Sequence, residues 1–147
     1  MPPASPEVTV CIDGASRGNP GRAAIGVVVL RHGRAVREIG EPIGVTTNNV
    51  AEYRALLRAL EEAASLGARR VRVQSDSELL VRQLLGQYKV RSEQLVPLHR
   101  TARARLRAFD DVAIVRVPRE QNRAADALAN RALDEEDPAP RTSAGRA

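Results

Sequence analysis

VTVCIDGASRGNPG, residues 8–21, changes character half-way along. Val8, Val10 and Ile12, with Cys11 between them, make the apolar run a buried strand needs, and the run stops at Asp13. The remainder, Gly14 to Gly21, is rich in glycine and small residues and reads as a loop. Asp13 is therefore expected at a strand end, where a carboxylate can face solvent or a ligand. Asp-Gly is also a common turn pair, and an ordinary hairpin corner accounts for it equally well. The loop is not a phosphate cradle of the Walker type, because no Gly-Lys-Ser/Thr follows.

Working outward, residues 24–30 form a second apolar run, and residues 35–39 alternate as a half-solvated strand does. Three strands on short loops predict an antiparallel meander. Residues 40–49, with Pro42, Gly44 and a polar Thr-Thr-Asn-Asn run, read as a connector. From Asn49 to Leu66 the apolar stripe Tyr53, Leu56, Leu57, Leu60, Ala63 and Ala64 has helical spacing. Asn48 or Asn49 is its expected N-cap, Glu52 a first-turn acid and Gly67 its stop. A strand over 69–74 ends at Ser75-Asp76, and a short helix runs from Ser77 to near Gly86. A basic helix over 92–109 is expected to break or kink at Pro97, before a fifth strand over 112–117. The loop 118–122 leads into a last helix from Arg123 to about Leu133. The order βββαβααβα implies an α/β fold with a parallel portion beside the meander. In such sheets ligands bind at the carboxyl ends of the parallel strands, where Asp13 and Asp76 both fall. Residues 1–7 read as a disordered lead-in, 8–134 as the folded domain and 135–147 as a disordered tail or linker remnant.

A chain of 147 residues suits one domain with an ordinary core. Aromatic residues are only 2% of it, so Val, Leu, Ile and Ala must fill that core. A formal charge of +5 and a pI near 10.5 suit a polyanionic partner. Of the 23 basic residues 22 are Arg, and Ala is abundant. A coding bias produces the same pairing, so basicity alone decides nothing. Tyr53, Tyr88 and Phe109 are the whole aromatic supply, which leaves little for base stacking. The lone Cys11 excludes an internal disulfide and a cysteine-built zinc site. No leader or spanning segment is apparent, and a cytoplasmic protein without membrane contact is expected.

Four acids stand out: Asp13, Glu52, Asp76 and Asp126. Each has a structural reading, as a turn residue, a first-turn acid, a helix cap and a solvated helix residue respectively. Brought together, they would repel and raise one another's pKa unless a cation lay between them. Oxygen ligands without His or Cys favour Mg²⁺ or Mn²⁺ over zinc. Such acids commonly hold two metals about 4 Å apart for displacement at a phosphodiester. Setting the four aside leaves 14 acidic against 23 basic residues, a negative spot in a positive surface.

The segments IDGASRGNPG, TTNNVAEYRAL, VQSDSELLV and VPREQNRAADALAN resemble, in order, the motifs of type 1 ribonuclease H. The resemblance covers the chain from about Val8 to Leu133. It implies a ribonuclease H-like fold, a mixed five-stranded sheet (three antiparallel strands plus two parallel) flanked by helices. It also implies metal-dependent endonucleolytic cutting of the RNA strand of an RNA–DNA hybrid, leaving 5′-phosphates, with two Mg²⁺ ions (or Mn²⁺). Asp13, Glu52, Asp76 and Asp126 match the family's metal-binding acids, and Glu52 the one beside the scissile strand. Gly14, Asn19, Asn48 and Asn49 match substrate-side positions, the asparagines facing the RNA minor groove. Thr47 matches a position near a DNA phosphate.

Two departures mark a compact branch. The loop before Asp126 lacks the His many members carry and has Arg119 and Glu120 instead. Between the middle helices stands only the GQYKVR of residues 86–91, in place of a basic, Trp-containing protrusion. Glu78 stands where other members often have a neutral amide contacting RNA. A monomeric nuclease is the main expectation. A weak or inactive nucleic-acid-binding module and a resolvase- or transposase-like core are the alternatives; the GNPG and TNN segments argue against the last.

Overall fold

The computed structural model describes residues 7–136. The elements run β1 (Glu7–Gly18), β2 (Gly21–Arg31), β3 (Arg34–Thr46), α1 (Asn48–Ser65), β4 (Arg70–Ser75), α2 (Glu78–Leu84), α3 (Leu95–Leu106), β5 (Asp111–Arg116), a 3₁₀ turn (Arg119–Gln121) and α4 (Arg123–Glu136). They form one five-stranded sheet in the order β3-β2-β1-β4-β5. The β1–β2 and β2–β3 pairs are antiparallel, whereas β4 runs parallel to β1 and β5 parallel to β4.

Strand alternation divides the molecule into two layers of packing. Val8, Val10 and Ile12 of β1 join Ile25, Val27 and Val29 of β2 and Val71 and Val73 of β4 in the main core. Tyr53, Leu56 and Leu60 of α1, Leu80 and Leu84 of α2, and Leu95, Ala102 and Leu106 of α3 close that core. Cys11, Ala24 and Val28 point the other way, against Ala125, Ala129, Ala132 and Leu133 of α4. Two glycines bring α4 close. A Cβ on Gly26 would lie 1.9 Å from the Ala125 carbonyl oxygen, and one on Gly40 would lie 2.5 Å from that of Leu128. Gly26 is the partner of Asp13 across the β1–β2 ladder, so the helix is admitted beside that acid.

Several boundaries differ from the sequence expectations. Asp13 does not end its strand, because β1 continues to Gly18, paired with β2 through Gly18↔Gly21. Gly14 and Ala15 are small for the close approach of α1 and α4, and Gly18 serves the turn into β2 with φ 105°. The expected connector is likewise strand: β3 reaches Thr46 through Pro42 and Gly44, with a register shift opposite Ala23/Ala24. An edge strand tolerates a proline and a bulge that a central one would not. Thr47, not Asn48 or Asn49, caps α1, its Oγ1 accepting from the Val50 N–H. Glu52 therefore falls in the second turn. Of the stripe, Leu57 is half-buried and Ala64 exposed. Leu66 closes α1, with Gly67 after it at φ 78°. Ser77 caps α2 through the Leu80 N–H, so Asp76 is left uncommitted to capping. Pro97 produces no break, since α3 starts at Leu95 and a first-turn residue has no helical acceptor for its N–H. Glu7 lies in β1 and residues 135–136 in α4. The expectations for residues 1–6 and 137–147 lie outside the described residues.

Candidate active site

The parallel ladder between β1 and β4 ends at Ile12↔Ser75, and the next residue on each strand is an acid, Asp13 and Asp76. Glu52 comes in from α1. Its Oε1 accepts from the Gly14 N–H at 2.9 Å. A Cβ on Gly14 would lie 2.3 Å from the Ala51 carbonyl carbon, so only glycine lets α1 sit this low on β1. One carboxylate oxygen each from Asp13, Glu52 and Asp76 lie within 4.8 Å of one another. Asp126 stands outside that trio, yet lines the same cleft and helps push the Asp13 carboxyl's pKa up. Asn130, one turn further along α4, donates to the Asp126 Oδ1 at 3.2 Å and to its carbonyl at 2.9 Å.

The cleft holds about 330 Å³ and is lined by Gly14, Ser16, Asn48, Arg119 and Asn130 besides the acids. Its electrostatics are those of too many carboxylates in too little water. Burial, then the charge of Glu52, then the hydrogen bond to Asp126 push Asp13 up to about 9. Burial and the charge of Asp76 push Glu52 up to about 8, against the lowering effect of the Gly14 N–H. A hard divalent cation would relieve both. The donor set, all carboxylate and with no sulfur or imidazole, fits Mg²⁺ or Mn²⁺.

The remaining candidates divide. Asn48 lines the cleft, and its N–H is held by the Asn19 Oδ1 at 3.1 Å, which ties the β1–β2 turn to the head of α1. Thr47 is the cap beside them, and Asn49 is exposed outside the lining. Arg119 is exposed at the rim, on the 3₁₀ turn. Glu78 is not in the cleft but pairs with Arg82 one turn on, at 2.8 Å. Neither histidine reaches the acids. His32 occupies the β2–β3 turn, and His99 packs edge-on against Tyr53 with its Nε2 3.3 Å from the Gln83 carbonyl.

Sequence reasoning missed Asn122, which is 2% exposed and contacts Asp76. Its place just before a helix reads as a cap, and nothing local marks it as anything else. Asn130 was missed too, although its position four residues after Asp126 is a helical contact spacing.

The reverse transcriptase-like family profile matches residues 11–132. Ribonuclease HI of Halobacterium salinarum is 49% identical over 124 residues, 84% of this chain and 62% of that protein. Its RNase H1 crystal structure superposes with a TM-score of 0.86 at 47% identity, covering 88% of this chain and 98% of that one. The chain belongs to the type 1 ribonuclease H family. A second ribonuclease H1 structure, LC11-RNase H1 in complex with an RNA/DNA hybrid, matches at TM-score 0.82 and 41% identity over 88% of this chain and 98% of that one. A bifunctional protein of Mycobacterium tuberculosis is 43% identical over 87% of this chain but only 36% of its own length. This ribonuclease H domain thus spans about two thirds or less of the curated relatives it matches first. The five-stranded mixed sheet with its helices is the architecture of the ribonuclease H1 structures.

Proposed function

We propose that this domain is a divalent-metal-dependent endoribonuclease that hydrolyses the RNA strand of RNA–DNA hybrids and leaves 5′-phosphates. The observation that carries the reading is the trio of Asp13, Glu52 and Asp76, packed within 4.8 Å in a ribonuclease H fold. With Asp126 at the same cleft, the reading is two ions per site, Mg²⁺ with Mn²⁺ as substitute. When bound, such cations neutralise charge at the scissile phosphate and ease formation of the attacking nucleophile.

The chain's own groups supply the rest. The Gly14 N–H orients Glu52, and Asn130 restrains Asp126. Asn48, with Asn19 and Asn49 nearby, faces the RNA strand, where 2′-hydroxyls distinguish RNA from DNA. Thr47 lies where a DNA phosphate meets the positive end of α1. Arg119 holds a phosphate at the rim. A separate hollow of about 490 Å³ between α2 and α3, lined by Tyr88, Lys89, Arg100, Arg103 and Arg107, suits further backbone contact. We read it as standing in for the protrusion that fuller members carry, which supports the compact-branch reading of the sequence. Glu78, paired with Arg82, stands on the substrate side in this reading, where other members often present a neutral amide to RNA. No helix among the described residues is long and apolar enough to cross a membrane. We read the protein as a cytoplasmic monomer.

The test is a labelled hybrid incubated with Mg²⁺, beside duplex RNA and duplex DNA. Cleavage confined to the RNA strand of the hybrid is expected. Binding without cleavage at any Mg²⁺ or Mn²⁺ concentration would make the domain a binding module instead.

A further inference from the structure

Asn122 is the buried polar side chain whose hydrogen bonds reach furthest across the site. Its Nδ2 donates to the Ile12 carbonyl at 2.8 Å and to the Asp76 Oδ2 at 3.3 Å. Both partners are acceptors, so the amide cannot be turned round without setting oxygen against oxygen. The Ile12 carbonyl belongs to the peptide that joins Ile12 to Asp13. Asn122 also uses its backbone: its carbonyl accepts from the Asp126 N–H at 3.2 Å, the first helical bond of α4, and its N–H donates to the Arg119 carbonyl at 2.9 Å. One residue is therefore fastened to β1 at Asp13, to the end of β4 at Asp76 and to α4 at Asp126. Its Oδ1 meanwhile is buried with no hydrogen-bond partner among the described residues. An acceptor left unmade in a buried place is a cost to the fold. The arrangement favours the placement of Asp76 over the satisfaction of Asn122.

We propose that Asn122 is a positioning residue for the acidic centre: its amide holds Asp76 and the Asp13 end of β1 in register with Asp126, and so sets how tightly the centre takes a divalent cation. The proposal rests on the reading of the acids as a metal site. It makes two demands that a merely structural asparagine would not meet. Metal affinity must fall when the amide is lost from a protein that still folds. The loss must also appear in kcat and leave the KM for the hybrid nearly unchanged, since Asn122 does not line the substrate cleft.

The experiment is calorimetric titration of Mn²⁺ into the native domain and into Asn122→Asp and Asn122→Ser, each checked for folding by circular dichroism. Kinetics on the hybrid at a fixed metal concentration below saturation accompany it. At least tenfold weaker Mn²⁺ binding is expected in both variants, with kcat down at least tenfold and KM changed less than threefold. A folded variant with native Mn²⁺ affinity and kcat would overturn the proposal while leaving the metal site standing. Failure of the native domain to take up Mn²⁺ would overturn the metal site itself. Should neither variant fold, the native protein decides. In ¹⁵N-labelled domain the Asn122 side-chain protons should exchange slowly with solvent and shift as Mg²⁺ is added. Fast exchange, or no shift at saturating Mg²⁺, would overturn the role.

Discussion

Asp13 is an acid held where acids are uncomfortable, 6% exposed and facing three others. A carboxyl whose folded pKa lies above its unfolded one stabilises the fold least when it must ionise. Asp13 rises from 3.8 to about 9 and Glu52 from 4.5 to about 8. Without metal, the unfolded chain therefore binds fewer protons than the native one between about pH 4 and pH 9. Stability should fall as pH rises through that window. Melting temperatures in chelator across pH 4–9 test this: Asp13→Asn should flatten the slope, and added Mg²⁺ should oppose it. A flat native profile would mean that the acids are better hydrated than their burial implies. Asp13→Asn should also lower turnover about a thousandfold, close to 4 kcal/mol of barrier, while the fold persists by circular dichroism. The histidines should matter far less. His32→Ala with His99→Ala should change turnover less than about threefold, roughly 0.65 kcal/mol, and Arg119→Ala should cost more than that pair. A hundredfold loss in the double-histidine variant with its fold intact would reinstate a histidine in the chemistry.

Among the elements, α4 shows how a site can depend on an absent side chain. Gly26→Ala places a methyl group 1.9 Å from the Ala125 carbonyl oxygen, so α4 must lift. The expected cost is about 1–3 kcal/mol of stability, as for overpacking elsewhere, together with loss of activity as Asp126 leaves the cleft. Denaturant midpoints and turnover measured on the same preparation check it; native turnover in a destabilised variant would separate α4 from the chemistry. This dependence also explains what could be read in advance. The order of elements was legible because Val8, Val10 and Ile12, or Leu56 and Leu60, carry their period openly. Residues 14–18 were not, since a strand made small at Gly14 and Ala15 under two helices looks like a loop. Pro42 and Gly44 hid the second half of β3, because only its edge position makes them tolerable. The four acids stood out from their setting and the family motifs. Asn122 did not, since its partner Ile12 lies 110 residues away and the contact exists only after folding.

For the whole molecule, net charge and geometry meet in the substrate. A chain of charge +5 with four acids gathered in one cleft should bind hybrids through phosphate contacts. Affinity should then fall log-linearly with salt, by about 0.9 in slope for each phosphate neutralised. Binding isotherms across a range of salt concentrations check this, and salt-insensitive affinity would point to apolar rather than phosphate contacts. The α4 layer carries a last consequence. Among the described residues it alone covers its face of the sheet, and it also brings Asp126 and follows directly on Asn122. Cutting the chain at Pro118 would strip the cover and disarm the centre in one stroke. The two pieces, 1–118 and 119–147, should be inert apart and regain activity when tethered partners bring them together. On the proposed function, the same architecture is a ready-made split reporter, whose signal is the reunion of its own halves.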